Sequence, residues 1–317
     1  PDGLWVAFLR SDAGGAAQLH VMPVGGGESR ALTALPLGAG APVWAPDSRR
    51  IAFTARVPEP GRYGTSDGDV TPDAAEEAPR RITRYDYRID NIGFLRDRPQ
   101  RLFVIDALAD EPDLEPEPLT DDAASVADPA WTPDGRSVLV AAPRDWDRVE
   151  TMHADLYAVP ASGGTPQLVV RTEGRAENPA VAADGTVFFY AAAFEGFGRA
   201  ATNAGLWAAP LDGSDSPRRL TDPESVDCVA AAGPPAVHGE DVLVVVAHRA
   251  AGLRRVPRTA TSAPLPQLPV LTGERAAVRS FTVAGDRIAV VQAGPEDAGE
   301  VLLADGDGAF TALTTLS

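Results

Sequence analysis

The chain has 317 residues and carries 45 acidic side chains against 28 arginines and no lysine, which gives a net charge of −17. An acidic surface repels phosphate backbones, so the composition argues against nucleic acid as the main partner. The longest apolar run, residues 242–247, is too short to span a bilayer, which argues against a membrane partner. Cys228 is the only cysteine, so no disulfide can form within the chain, and a cytoplasmic location is favoured.

A repeated pattern begins at the amino terminus. The turn Pro1-Asp2-Gly3 precedes the strand-like segment 5–8, and a second segment, 19–23, leads to the glycine turn 25–27 and to Leu32-Thr33. This first repeat lacks an innermost strand. We expect that strand to come from outside the printed sequence or from its far end.

The second repeat is interrupted. Residues 43–53 supply its first two strands and residues 102–106 its third, and we predict that residues 57–101 are an insertion between them. The first part of the insertion is polar and rich in glycine and proline, as in a loop. The second part, 81–100, is dense in aromatic residues and arginine. Insertions into a rigid scaffold often carry function, so this segment is the main candidate for a site.

Four further repeats follow. The clearest has Trp131-Thr132-Pro133-Asp134-Gly135 before an apolar strand and Ser162-Gly163-Gly164 after a later one, and the others are centred on Asp184-Gly185, Gly239 and Gly285. Proline and Asp-Gly suit a tight turn, and the flanking β-branched and aromatic residues suit buried strands. Helical periodicity is nearly absent.

The six repeats recur at roughly 45–55 residues, which is typical of four-stranded antiparallel blades. The sequence therefore predicts an all-β fold, a β-propeller, with residues 1–317 as a single propeller domain. A stack of sandwiches would also accommodate four strands per repeat, but even spacing favours a ring.

Within the insertion, two interpretations are open. In the first, a hairpin packs on the edge of the ring and its arginines pair with Asp86, Asp90 and Asp97. In the second, arginines and tyrosines form a rim that binds a peptide carboxylate or a partner domain, since arginine binds carboxylates with two parallel hydrogen bonds. The candidate contact residues are Arg84, Tyr85, Tyr87, Arg88, Arg96 and Arg98.

Catalytic and metal-binding patterns are weak. Residues 64–68 fit Gly-x-Ser-x-Gly, but a nucleophile elbow needs a strand before its serine and a helix after it, and neither is predicted around Ser66. His238 and His248 flank one strand and could approach each other, yet no third ligand is evident. We therefore predict no catalytic residue, no metal site and no cofactor in this chain.

The repeats with Trp131-Thr132-Pro133-Asp134-Gly135 resemble those of TolB-like proteins and of the prolyl oligopeptidase family. The stretch 81–88, with Gly93-Phe94 and residues 98–104, is similar to the insertion of bacterial acylaminoacyl and dipeptidyl peptidases of that family. The resemblance implies a propeller, with a seventh blade in the full protein, over a C-terminal α/β-hydrolase domain that holds the catalytic serine, aspartate and histidine.

On that resemblance, the chain would be a non-catalytic domain that gates and positions peptide substrates. Its partners would be its own hydrolase domain and peptides, with a homo-oligomer also open. The chain begins with Pro1 rather than methionine, so we expect a fragment of a longer polypeptide. The alternatives are a TolB-like scaffold that binds other proteins and a propeller enzyme with its own site in the central channel. Fold alone does not choose among them.

Overall fold

The computed structural model describes residues 1–11, 14–109, 116, 118–196, 202–296, 298–306 and 308–316. Its chain divides into two compact units. The first contains residues 1–151 and 157–167, and the second contains residues 152–156 and 168–317. In both units, antiparallel sheets follow one another in chain order.

The first two repeats and the greater part of the third belong to the first unit. β1, β2 and β3 form one sheet, and β4, β5 and β8 form the next, with the hairpin β6–β7 between β5 and β8. β9 to β12 form the third repeat, in which β10 lies between β9 and β11. The strands are β1 (Trp5–Arg10), β2 (Gln18–Pro23), β3 (Arg30–Ala31), β4 (Val43–Trp44), β5 (Arg50–Arg56), β6 (Arg88–Ile89), β7 (Gly93–Phe94), β8 (Gln100–Asp106), β9 (Ala127–Trp131), β10 (Ser137–Pro143), β11 (Ala154–Pro160) and β12 (Gln167–Val170).

The second unit holds the remaining three repeats. β13 to β16 pair antiparallel in sequence order, and β13 also pairs with β11 in parallel at Ala154 and Arg175. β17 to β19 form the next sheet and β20 to β23 the last. The strands are β13 (Gly174–Val181), β14 (Thr186–Ala193), β15 (Gly205–Pro210), β16 (Arg218–Arg219), β17 (Ala236–His238), β18 (Asp241–His248), β19 (Ala250–Pro257), β20 (Ala277–Ala284), β21 (Arg287–Ala293), β22 (Glu300–Asp305) and β23 (Thr311–Ala312).

The Pro-Asp-Gly turns adopt the predicted chemistry. Between β9 and β10, the Gly135 amide donates to the Thr132 carbonyl over 2.9 Å, and Gly135 has φ of 65°. The Asp134 carboxylate accepts from the Thr132 hydroxyl at 2.6 Å and from the Arg136 amide at 3.0 Å. These hydrogen bonds, led by that of Thr132, lower the pKa of Asp134. Proline and glycine set the backbone of this turn, and aspartate fixes it.

Apolar clusters between successive repeats make up the core. In the first unit, Phe53 of β5 stacks on Phe103 of β8 with ring centroids 5.3 Å apart, in a cluster that also contains Leu19 of β2. In the second unit, Phe188 of β14 and Val244 of β18 share a cluster. Each fully buried side chain of this size contributes about 1.5–3 kcal/mol. In these clusters the apolar face of one repeat packs against that of its neighbour, as in repeat architectures generally.

The six predicted repeats are present, and the fold is an all-β propeller fold of antiparallel blades. The blades are less regular than predicted, because among the described residues only the third, fourth and sixth repeats have four named strands. In the second and fifth repeats, a single bridge stands in the fourth position, Phe103 with Pro118 and Arg254 with Val270. Pro118 itself, and Pro269 beside Val270, lack the amide proton that would extend the ladder.

The described part of the chain contains only 3-10 segments as helices, at Arg144–Asp147, Ala230–Ala232 and Leu265–Gln267. None of them is long or apolar enough to cross a membrane. The expectation that His238 and His248 approach each other is wrong. His238 pairs with Asp241 at one end of the eight-residue strand β18, and His248 pairs with Ala250 at the other.

Candidate functional site in the insertion of the second repeat

The insertion lies between β5 and β8, two strands of the second repeat that pair along their whole length. β5 and β8 pair in register from Arg50 with Asp106 to Arg56 with Gln100. The intervening segment is therefore 57–99, two residues shorter at its end than the predicted 57–101, because Gln100 and Arg101 already belong to β8. Its ends are held by the Val57 amide, which donates to the Pro99 carbonyl at 3.0 Å.

A small hairpin, β6–β7, forms the centre of the insertion. Asn91, at φ 62°, lies in its turn, and Gly93, at φ 95°, begins β7. Arg98 forms two hydrogen bonds with the backbone of the hairpin. Its Nε donates to the Phe94 carbonyl at 2.7 Å, and its Nη2 donates to the Ile92 carbonyl. The φ of 95° at Gly93 favours glycine, and a Cβ there would also lie 2.8 Å from Arg98 Nη2, which would have to move. Arg98 therefore stabilises the backbone of the hairpin.

Two arginines of the insertion converge on one buried carboxylate, Asp147, in the loop after β10. Arg84 Nη2 donates to Asp147 Oδ1 at 2.8 Å, and Arg96 Nη1 donates to Oδ2. The Asp147 side chain is only 3% exposed. Asp86 accepts from Arg84 Nε at 3.2 Å and from Arg96 Nη2, so both arginines bridge the two carboxylates. Burial opposes the charge of Arg84, but Asp147 and then Asp86 raise the pKa of Arg84 above its ordinary value.

The loop that presents Asp147 has an unusual backbone. Asp145, Trp146 and Asp147 all have positive φ, of 53°, 55° and 62°. The indole of Trp146 donates to the Asp121 carboxylate at 3.0 Å and meets the ring of Tyr157 edge-on at 5.2 Å. Left-handed backbone in non-glycine residues is unfavourable, so these contacts and the arginine pairs hold it in place. We call Arg84, Arg96, Asp86 and Asp147 the Asp147 clasp.

A second ion cluster, centred on Asp97, lies deeper in the insertion. Arg80 Nε donates to Asp97 Oδ2 at 2.5 Å, and the Tyr63 hydroxyl donates to Asp97 Oδ1 at 3.0 Å. Arg62 is buried and bonds Glu59 at 3.2 Å. Burial opposes the charge of Arg80, yet hydrogen bonding led by that to Asp97 raises the pKa of Arg80 above its ordinary value. These arginines are neutralised within the insertion.

A cavity of about 190 Å³ lies between the clasp and this second cluster. Its walls include the apolar surfaces of Ile82, Tyr87 and Phe94 and the guanidinium groups of Arg81 and Arg84. Arg81 is exposed, and no described residue pairs with it. The cavity thus combines an apolar wall with one unpaired positive charge, a combination suited to a peptide side chain and a neighbouring carboxylate.

The comparisons with known proteins relate this chain to peptidases and to a TolB-like protein. No family model matches this chain. Over 142 residues, 45% of the chain, it is 32% identical to YuxL of Bacillus subtilis (strain 168), named an uncharacterized peptidase, of which the match covers 20%. Over 99% of the chain, the structure resembles Pyrococcus horikoshii acylaminoacyl peptidase, with a TM-score of 0.67 and 16% identity. The chain spans 44% of that enzyme.

This chain has the fold of the propeller domain of prolyl oligopeptidase-type peptidases. The putative TolB from Agrobacterium tumefaciens is also similar, with a TM-score of 0.58 and 16% identity over 90% of this chain and 84% of that one. Both likenesses agree with the resemblance drawn from the sequence. The chain spans less than half of the peptidases that it matches.

The structure divides the six predicted contact residues by environment. Arg84 and Arg96 belong to the clasp, and Arg98 fastens the hairpin. Tyr85 and Tyr87 are 47% and 37% exposed. Arg88 is also exposed, and no described residue pairs with it. A role of these six residues in contact with substrate or with another domain stays a prediction.

The expected ion pairs are present only in part. Asp86 pairs with arginines of the predicted set, whereas Asp97 pairs with Arg80 and Arg62, and Asp90 has no pairing among the described residues. Sequence reasoning missed Arg80 and Asp147. Arg80 was visible as a basic residue at the start of the aromatic stretch, but nothing local links Asp147 to the insertion 51 or more residues earlier.

The Gly-x-Ser-x-Gly segment forms a turn. Ser66 is exposed and its hydroxyl shares a 2.7 Å hydrogen bond with that of Thr71, while Asp67 and Val70 form a bridge. No strand precedes the serine and no helix follows it in the part of the insertion around it, all of which is described. In the described residues, no group of three or more histidine, cysteine, aspartate or glutamate side chains is placed to hold a metal ion.

Proposed function

We propose that this chain is a non-catalytic propeller domain that gates access to a serine peptidase domain and helps to position peptide substrates. The observation that carries the proposal is the extent of the structural match, 99% of this chain against 44% of the acylaminoacyl peptidase. Full coverage of this chain with less than half coverage of the enzyme is expected if this chain corresponds to one domain of a two-domain enzyme. The proposal places the catalytic serine, aspartate and histidine in a C-terminal α/β-hydrolase domain.

Within this proposal, the exposed side chains at the start of the β6–β7 hairpin and just before it contact the substrate or the hydrolase domain. Tyr85, Tyr87 and Arg88 are available for such contacts because their side chains face solvent. Arg84, Arg96 and Arg98 act by holding the hairpin in position through the clasp and the carbonyl bonds. A rigid loop on a rigid scaffold is the usual way to present a binding surface.

The test uses the full polypeptide encoded by the natural gene, labelled with a fluorophosphonate probe and mapped by mass spectrometry. We expect one labelled serine, outside residues 1–317, because the activated nucleophile belongs to the hydrolase domain. The Ser66→Ala variant should label equally well. Label on Ser66, or label that is lost in Ser66→Ala, would show that the catalytic serine lies in the insertion.

Gating is tested separately by substrate length. The same polypeptide should hydrolyse acyl-amino acid and dipeptide reporters much faster than it cleaves a folded protein that displays the same residues in a loop. Equal rates on both substrates would contradict a gate while leaving the peptidase assignment intact.

A TolB-like scaffold is the second candidate. It is favoured by the share of the Agrobacterium tumefaciens protein that this chain covers, 84%, against 44% for the peptidase. If the natural polypeptide takes no fluorophosphonate label, the scaffold becomes the better proposal. Affinity capture through the propeller should then recover a protein partner that depends on the exposed hairpin residues.

A further inference from the structure

A second cavity, of about 170 Å³, lies in the fifth repeat at one end of the β18–β19 hairpin. Its charged lining residues are Arg249, Arg254 and Glu274, and His248 also lines it. The site lies wholly in the second unit and shares no residue with the insertion. It is therefore separate from the candidate site in the insertion.

The strand register explains why these side chains meet. β18 ends at His248, and Arg249, at φ 59°, turns the chain into β19. Val246 pairs with Gly252, and Arg254 lies two residues further along β19 on the same face. A side chain at position 252 would crowd Val270, since a Cβ there would lie 3.2 Å from Val270 Cγ2. Glycine thus keeps the floor of the cavity open.

The charge of Arg254 is not balanced by a carboxylate among the described residues. Nη1 donates to the Leu268 carbonyl at 2.6 Å, and Nε is buried with no hydrogen-bond partner. Burial alone accounts for the lowered pKa of Arg254. Its neighbour Arg255, by contrast, lies 3.7 Å from Asp241.

The other charged residues of the cavity are also unpaired. No described group pairs with Arg249, which is exposed at the turn, or with Glu274. Leaving His248 aside, two arginines and one glutamate give the cavity one net positive charge in a chain whose total is −17. Among the described residues, Arg254 is partly buried without a carboxylate beside it, and Arg249 is exposed without one, so both guanidinium groups are available to an anion that enters the cavity.

We propose that the cavity at Arg249 and Arg254 binds a carboxylate group, such as the C-terminus of a peptide. Arginine forms paired hydrogen bonds with carboxylates. A carboxylate carries one negative charge and balances the one net positive charge of the cavity. Phosphate offers similar oxygens, but its second charge would be repelled by Glu274.

The binding test uses the 317-residue protein, titrated in a calorimeter at constant ionic strength and pH 7 with N-acetyl-dialanine. The matched probes are its C-terminal amide and inorganic phosphate. We expect the free acid to bind at least 10-fold more tightly than the amide and more tightly than phosphate. Equal binding of acid and amide, or no binding of either at millimolar concentration, overturns the proposal, and tighter binding of phosphate overturns its choice of carboxylate.

Variants locate the bound carboxylate. Arg254→Ala and Arg249→Ala should each weaken binding of the acid at least 10-fold, and Glu274→Gln should strengthen it several-fold. Arg279→Ala, which removes the same charge from an exposed arginine outside the cavity, is the control and should leave binding unchanged. Because Arg254 also bonds Leu268, Arg249→Ala is the decisive variant: its side chain makes no bond within the described fold. Binding unaffected by Arg249→Ala overturns the assignment.

Discussion

The insertion of the second repeat and strand β14 of the fourth are stabilised by opposite means. β14 presents a run of buried apolar and aromatic side chains, from Val187 to Ala192, to neighbouring strands. The insertion has few buried apolar residues and is held instead by arginines that bond carboxylates and carbonyls. Apolar burial is insensitive to direction, whereas the charged contacts require particular partners. Changes in β14 should therefore unfold the unit, and changes in the insertion should loosen one loop.

The largest effect is expected in β14. Phe188→Ala removes a fully buried ring and leaves a cavity, which should lower the free energy of unfolding by about 3–5 kcal/mol. Urea unfolding followed by tryptophan fluorescence measures the loss. Leu168→Ala, at a side chain 44% exposed, is the control and should change stability by under about 0.5 kcal/mol. Similar losses in both variants would show that burial does not control the stability of this unit.

The next largest effect is expected at the clasp. Asp147→Asn removes the negative charge that Arg84 and Arg96 share. This should lower the free energy of unfolding by about 2–3 kcal/mol, less than for a fully buried ion pair because Arg96 is partly exposed. Amide hydrogen exchange should accelerate roughly 10- to 100-fold over residues 84–97 and remain unchanged in β14. Asp90→Asn is the matched control, since no described residue pairs with Asp90. Equal acceleration in β14 would contradict a local role.

A smaller effect is expected where Arg98 fastens the hairpin. Arg98→Ala removes two bonds to carbonyls and the contact of its guanidinium with the Tyr63 ring at 4.4 Å, which should cost about 1–2 kcal/mol. Exchange of the β6 and β7 amides measures the loss. Arg98→Lys should restore less than half of it, because lysine cannot reach two carbonyls with a planar fork. Full recovery by lysine would show that charge alone matters.

The smallest effect on stability is expected at Arg88. Arg88→Ala should leave the free energy of unfolding within about 0.5 kcal/mol, because the side chain is exposed and unpaired in the described fold. If Arg88 contacts substrate, KM for a peptide reporter should rise several-fold in the full polypeptide while stability is unchanged. A loss of stability above about 1 kcal/mol would instead assign Arg88 a structural role.

The repeats were predictable because the signal of each one is local. The turn at 132–135 needs only proline, aspartate and glycine at fixed positions, and the strands around it need only β-branched and aromatic residues. The sequence also locates the insertion within two residues. Its internal partners were not predictable in the same way, since Asp147 meets Arg84 only after the strands of two repeats have folded. Choosing partners by nearness in the sequence was also wrong for Asp97, which pairs with Arg80 and Arg62 rather than with the arginines of the predicted set.

In the turn at 145–147, the backbone conformation is unfavourable because the residues are L-amino acids. Three successive left-handed residues form the mirror image of a right-handed helical turn, at a cost of about 1–2 kcal/mol each for L-residues. Their sum is comparable to the net stability of many domains. A synthetic chain with D-aspartate at position 145 would relax the backbone at that residue while keeping every side chain of the sequence. The stereochemistry of a single residue would then separate the strain in the loop from the ion pairs that the loop presents.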